Sequence, residues 1–103
     1  MGLNNRRVVI TGMGMLTPLG AAMDLSWTGL VAGNSGIGPI KAFDTADFPV
    51  RFGGAVPDFN MDDYISKKDA RRMDGFIQFG VVAGIQAMQD AGLEVTDENR
   101  HRI

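Results

Sequence analysis

The sequence of 103 residues contains no cysteine and a single histidine, His101, close to its end. Without cysteine the chain can form no disulfide, present no thiolate nucleophile and assemble no Cys/His zinc site. A Ser-His-Asp arrangement would depend on the one histidine in the tail. Long apolar runs are also missing. The longest candidate, "FIQFGVVAGIQAM" at 76–88, is interrupted by Gln78 and Gln86 and falls short of the ~20 apolar residues that a membrane span needs. Nor is positive charge in excess, since ten Lys and Arg stand against twelve Asp and Glu, for a net charge of −2 and an isoelectric point near 5.1. General nucleic-acid binding needs clustered basic residues to replace phosphate counterions, so any basic function here must be local. The sequence therefore points to no nucleic acid, no membrane insertion, no metal and no cofactor.

What remains is the composition of one ordinary globular domain, with 45% hydrophobic and 21% charged residues and no internal repeat. Arg6 and Arg7 ahead of "VVITGMGML" imitate a secretory signal, but the run is β-branched and glycine-rich, which disfavours the helix such a signal presents. The expected location is cytoplasmic. "RRVVIT" at 6–11 is a continuous apolar run bounded by glycine, as in a strand covered on both faces. Asp24 is placed to cap a helix "LSWTGLVA" that Gly33 stops, with Trp27, Leu30 and Val31 on one side. A loop, "GNSGIGPIKAFD", leads to a second strand candidate, "VRFGGAV". Asn60, Asp62 and Asp63 suggest a short helical turn around Tyr64, and Ser66 with Asp69 has capping-box spacing ahead of "KKDARRM".

The clearest helix runs from about Asp74 to Ala91 and ends at Gly92. Phe76, Ile77, Val81, Val82, Ile85 and Met88 encircle its axis instead of forming one stripe, the pattern of a helix inside a larger protein. Gly80, Gly84, Ala87 and Ala91 offer a small-residue seam for another backbone. So few elements cannot cover both this helix and a two-sided strand, and the chain reads as a piece of something larger.

Gly12, Gly14 and Gly20 follow the first strand candidate and raise the question of a phosphate-binding turn. A dinucleotide fingerprint needs its third glycine at position 17, where Thr17 stands before Pro18, and no glycine is followed by Lys and Ser or Thr as in a P-loop. The glycines fit better as a way out of a buried strand and a place for close backbone approach.

"RRVVITGMGMLTPLG", "SWTGLVAGNSGI", "FGGAV" and "DARRMDGFIQFGVVAGIQAMQDAGL", in this order and spacing, resemble the beginning of the β-ketoacyl-acyl-carrier-protein synthases, most like the type II enzymes of bacterial fatty-acid synthesis. The resemblance covers essentially all of residues 1–103, the N-terminal portion of a condensing-enzyme domain, with Thr17 where many relatives have serine. It implies an α/β class fold, the thiolase-like layered α/β/α/β/α arrangement, of which this chain supplies the first strand–helix units. It also implies a homodimer, and decarboxylative condensation of an acyl thioester with malonyl-acyl carrier protein. In that family a cysteine is acylated and two histidines assist decarboxylation, which requires a thiolate nucleophile and donors for developing negative charge. Those residues lie beyond Ile103 in the family, so no catalytic residue is assigned here.

Residues 67–72 carry a local charge of +3 in a chain whose net charge is −2. On a helix, Lys68, Arg71 and Arg72 share an arc of about 100°. Taken alone, such a cluster reads first as a solvated charged face and only second as a docking site for an acidic partner. The resemblance adds that the family binds the acidic helix of acyl carrier protein with basic residues at the positions of Lys68, Arg71 and Arg72. A non-catalytic carrier-binding module and a nucleotide-binding α/β domain remain as alternatives. Having no cysteine, the 103-residue polypeptide is expected to give no ketoacyl product above background when incubated with acyl- and malonyl-carrier protein.

Overall fold

The structure, a computed structural model, describes residues 5–103. Its elements are α1 (Met23–Val31), β1 (Ile37–Pro39), β2 (Phe52–Gly54), a 3₁₀ turn (Met61–Asp63), α2 (Lys67–Ala70) and α3 (Gly75–Ala91). β1 and β2 pair antiparallel, with Ile37 opposite Gly54 and Pro39 opposite Phe52. The Ile40 amide extends the ladder to the Arg51 carbonyl at 3.0 Å. The 40–51 connection is organised by edge-to-face packing of Phe43 on Phe48, 5.7 Å between centroids, and by Arg51, whose guanidinium donates to the Ala46 and Phe48 carbonyls.

α3 is the axis on which the rest is assembled. It starts after Asp74 and stops where the sequence predicts. Gly92 takes the left-handed conformation, φ 62°, its amide donates to the Gln89 carbonyl, and the Leu93 amide donates to the Met88 carbonyl. That pair of bonds satisfies carbonyls the helix end leaves free.

Residues 12–15 run along the C-terminal half of α3, and the approach is unusually close. A Cβ on Gly12 would stand 2.5 Å from the Ala91 amide nitrogen and 2.7 Å from its Cβ, and one on Gly14 would fall on the Ala83 carbonyl. Glycine is required at both positions because the neighbour is helix backbone, which cannot move aside as a side chain would. The seam that receives them is Ala83, Ala87 and Ala91. Gly80 and Gly84, expected to belong to it, face open space.

The turn Thr17–Gly20 then reverses the chain. The two residues exchange backbone bonds of 2.9 and 3.0 Å, with Pro18 at the position of a β-turn that its fixed φ suits. Ser26, 4% exposed, hydrogen-bonds Thr17 Oγ1 at 2.7 Å and donates to the Gly20 carbonyl at 3.1 Å. The hairpin closes on the same turn, since a Cβ at Gly36 or Gly54 would strike Pro18.

Three expectations need correction. β1 lies inside the stretch read as loop, because its Gly and Pro content hides a strand whose partner is a dozen residues away. The cap of α1 is Ala22, with no side-chain hydrogen bond, while Asp24 sits within the first turn, where its charge still opposes the helix dipole. "RRVVIT" is extended but forms no ladder among the described residues, and Val8 is 94% exposed. An extended run becomes a strand only when a neighbour takes up its amides and carbonyls, and no other segment of residues 5–103 lies beside it to do so.

That exposure is general. The accessible surface is 8704 Å², whereas a compact globule of this 11.1 kDa mass exposes about 5,700 Å². The radius of gyration, 18.2 Å, likewise exceeds the about 13 Å of a compact chain of this length. Ile65 and Val82 are the buried hydrophobic residues among those described, and the face of α1 bearing Trp27, Leu30 and Val31 is open.

Two outcomes follow from this arrangement. Gly14→Ala forces the extended segment off α3 and is expected to cost about 1–3 kcal/mol locally. In hydrogen exchange, the Met13 and Met15 amides should lose roughly tenfold or more protection while the centre of α3 keeps its own. The 1–103 polypeptide alone, with so much apolar surface uncovered, should show no cooperative, concentration-independent unfolding transition in calorimetry.

Candidate functional site

The basic cluster begins where Ser66 ends the extended backbone. Its Oγ accepts from the Asp69 amide at 3.1 Å and meets the Asp69 carboxylate at 2.7 Å, so the expected capping pair forms. α2 itself is a single turn. It closes at Ala70, Arg71 is its C-cap at φ −64° and ψ −17°, and the Arg72 and Met73 amides continue with i to i−3 bonds to Asp69 and Ala70. Lys68 and Arg71 therefore share a helical face, but Arg72 sits on the tightened turn beyond it. The continuous helix expected over "KKDARRM" is cut short because the chain must turn into α3 within four residues.

The charges are arranged by the neighbours of the cluster. Asp62 of the 3₁₀ turn pairs with Lys67 at 3.4 Å, and Asp69 is engaged by Ser66. Lys68, Arg71 and Arg72 are exposed and make no ion pair among the described residues. Asp62 and Asp69 are thus engaged, Asp74 stands at the start of α3 without a side-chain hydrogen bond, and the three cations face solvent.

Two glutamines that interrupt the apolar pattern of α3 do the tethering. Gln78 Nε2 donates to the carbonyls of Ala70 at 2.9 Å and Met73 at 3.2 Å. Gln86 accepts from the Met15 amide at 3.1 Å and donates to the Ala21 carbonyl at 2.8 Å and Tyr64 Oη at 3.3 Å. In the sequence they only interrupt an apolar run. A lone amide on an otherwise apolar helix was the available signal, because a half-buried amide must find partners.

A cleft of about 680 Å³ between the extended segment and α1 is lined by Met13, Met15, Leu19, Met23, Trp27 and Leu30, with Asp24 its one ionisable neighbour. It is an uncovered apolar face whose hydroxyls, Thr17 and Ser26, bond each other and the Gly20 carbonyl, with no histidine in the lining to activate them. Gly12 and Gly14 serve close approach to helix backbone, and the amides between and after them, of Met13 and Met15, are taken by Asp90 and Gln86. No cluster of three or more potential metal ligands occurs among the described residues, and no helix among them is long and apolar enough to cross a membrane.

Comparison with known proteins agrees with this architecture. The family model described as beta-ketoacyl synthase, N-terminal domain, matches residues 5–103. The 3-oxoacyl-[acyl-carrier-protein] synthase 2 of Vibrio cholerae is 56% identical over 98% of this chain, and that of Synechocystis is 45% identical over the same share. The chain spans about a quarter of the length of these relatives, 24% in each case. A solved structure described as the ishigamide ketosynthase/chain length factor superposes with a TM-score of 0.74 at 37% identity, over 86% of this chain and 22% of that one. The fold is therefore the thiolase-like α/β fold of the ketosynthases, here a part of it. The chain belongs to the β-ketoacyl synthase family and corresponds to its N-terminal domain model.

Proposed function

We propose that residues 1–103 are the N-terminal portion of a 3-oxoacyl-[acyl-carrier-protein] synthase of fatty-acid elongation. Its partner is acyl carrier protein bearing acyl or malonyl groups, it works as a cytoplasmic homodimer, and Lys68, Arg71 and Arg72 receive the carrier. The reaction transfers an acyl group from its carrier-protein thioester to a cysteine thiolate, releasing the carrier thiol, and then forms a carbon–carbon bond between that acyl carbon and the malonyl α-carbon, with loss of carbon dioxide and release of the cysteine thiolate. The thiolate and the groups that stabilise the carbanion belong to chain outside these residues. This portion contributes scaffold and docking.

The observation that supports the docking reading is the set of three exposed cations, Lys68, Arg71 and Arg72, that make no ion pair among the described residues, while Asp62 pairs with Lys67. Charges at such a rim act mainly on the rate of encounter with an acidic partner, and salt screens them within a Debye length of about 8 Å at physiological ionic strength.

In the full-length enzyme, Lys68→Glu or Arg71→Glu is expected to raise KM for carrier-bound substrate by about two- to tenfold, since exposed charge pairs are individually weak and reversal adds repulsion. Carrier-free thioesters should be turned over almost unchanged, and the salt dependence of KM should flatten. Paired kinetics on both substrate types across ionic strength checks this. Equal loss on both would indicate misfolding, and no loss on either would leave the cluster without a docking role.

A further inference from the structure

The three cations sit on a segment too short to hold its own shape. An isolated helix is marginal in water below about 12–15 residues, and α2 has four. Its start is fixed by the Ser66 cap. Its end is closed only by the backbone bonds of Arg72 to Asp69 and Met73 to Ala70, with no side-chain cap of its own. To these is added the side-chain amide of Gln78, whose Nε2 reaches both the Ala70 and the Met73 carbonyls, at 2.9 and 3.2 Å. Those two carbonyls bracket Arg71 and Arg72 and nothing else. Both amide hydrogens are used, and they join the basic turn to the first turn of α3, the best-anchored element of the chain.

We propose that Gln78 is the positioning residue of the basic cluster: by holding the carbonyls on either side of Arg71 and Arg72 it pre-orders both guanidinium groups for an acidic protein partner. The inference rests on the docking reading above and adds a residue that itself carries no charge and need not touch the partner. Its physical basis is entropic. A flexible turn must be ordered when the partner binds, and a turn already ordered by two hydrogen bonds avoids that loss. Neither bond involves Lys68, which lies on the capped side of α2, so the effect of Gln78 falls on the two arginines.

Gln78→Met in the full-length enzyme keeps the length and bulk of the side chain and removes both donors. With two neutral hydrogen bonds lost, KM for carrier-bound substrate is expected to rise about three- to tenfold, with kcat and the kinetics of carrier-free thioesters unchanged. The decisive measurement is the cycle with Arg71→Ala/Arg72→Ala. In that background Gln78→Met should add less than about twofold, because the groups it positions are gone. With Lys68→Ala its effect should persist in full. An undiminished effect in the double-arginine background overturns the proposal, as does equal loss on carrier-bound and carrier-free substrates, the result of a purely structural glutamine. If the double-arginine variant raises KM and Gln78→Met does not, the positioning role fails while docking stands. If the double-arginine variant itself leaves KM unchanged, both fail together.

Discussion

The structure depends on the contact between the extended segment and α3, and that contact is set by a match of repeats. Two residues of extended chain advance about 6.8 Å, and four residues of helix rise about 6 Å. Gly12 and Gly14 therefore meet successive turns of the helix, Ala91 with Ala87 and then Ala87 with Ala83, while the amides of Met13 and Met15, on the alternate positions, find Asp90 Oδ2 at 2.9 Å and Gln86 Oε1 at 3.1 Å. The segment runs antiparallel to the helix. Steric fit and hydrogen bonding use the two alternating sets of positions independently, so neither can be satisfied out of register.

From this contact the remaining elements are placed by short links. Gln86 serves the extended segment, the Ala21 carbonyl before α1 and the tyrosine that follows the 3₁₀ turn, so one side chain fixes three separate stretches of chain against α3. Pro18, at the head of the turn that follows, supplies the surface on which the hairpin glycines Gly36 and Gly54 close. Little of this is a hydrophobic core in the usual sense. Val82 and Ile65 are buried, and much of the other apolar surface waits for further layers, in keeping with a chain that spans 24% of its relatives' length. Hydrogen bonds from half-buried amides carry an unusual share of the local order, which is why the glutamines matter more here than their polarity on an apolar helix suggests.

The basic turn follows the same logic at the other end of α3. Gln78 and Gln86 are eight residues apart, a little over two turns, and each turns its amide to backbone outside the helix. One secures the N-terminal segment, the other the cationic one. The cluster is thereby attached to α3, and its three cations stay at the surface.

The sequence by itself determined what local rules govern. The end of α3 at Gly92 and the Ser66–Asp69 cap are encoded within a few residues, because a left-handed glycine and a capping side chain act on neighbours in the chain. Composition alone excluded thiol and zinc chemistry, and the order of four motifs was enough for the family. The charge of residues 67–72 was equally plain, although its extension as one helix was not, since the turn into α3 is a tertiary demand. Only the tertiary structure decided which small residues form the seam, since Ala83 and Gly84 are neighbours in the chain on adjoining faces and nothing local says which face receives the extended segment. It alone paired β1 with β2 across a dozen residues and assigned the glutamines their partners. The physical reason is common to all of these. A cap or a stop is specified by bonds to adjacent residues, whereas a close approach or a side-chain clamp depends on which distant backbone arrives, and that is chosen by the packing of the whole.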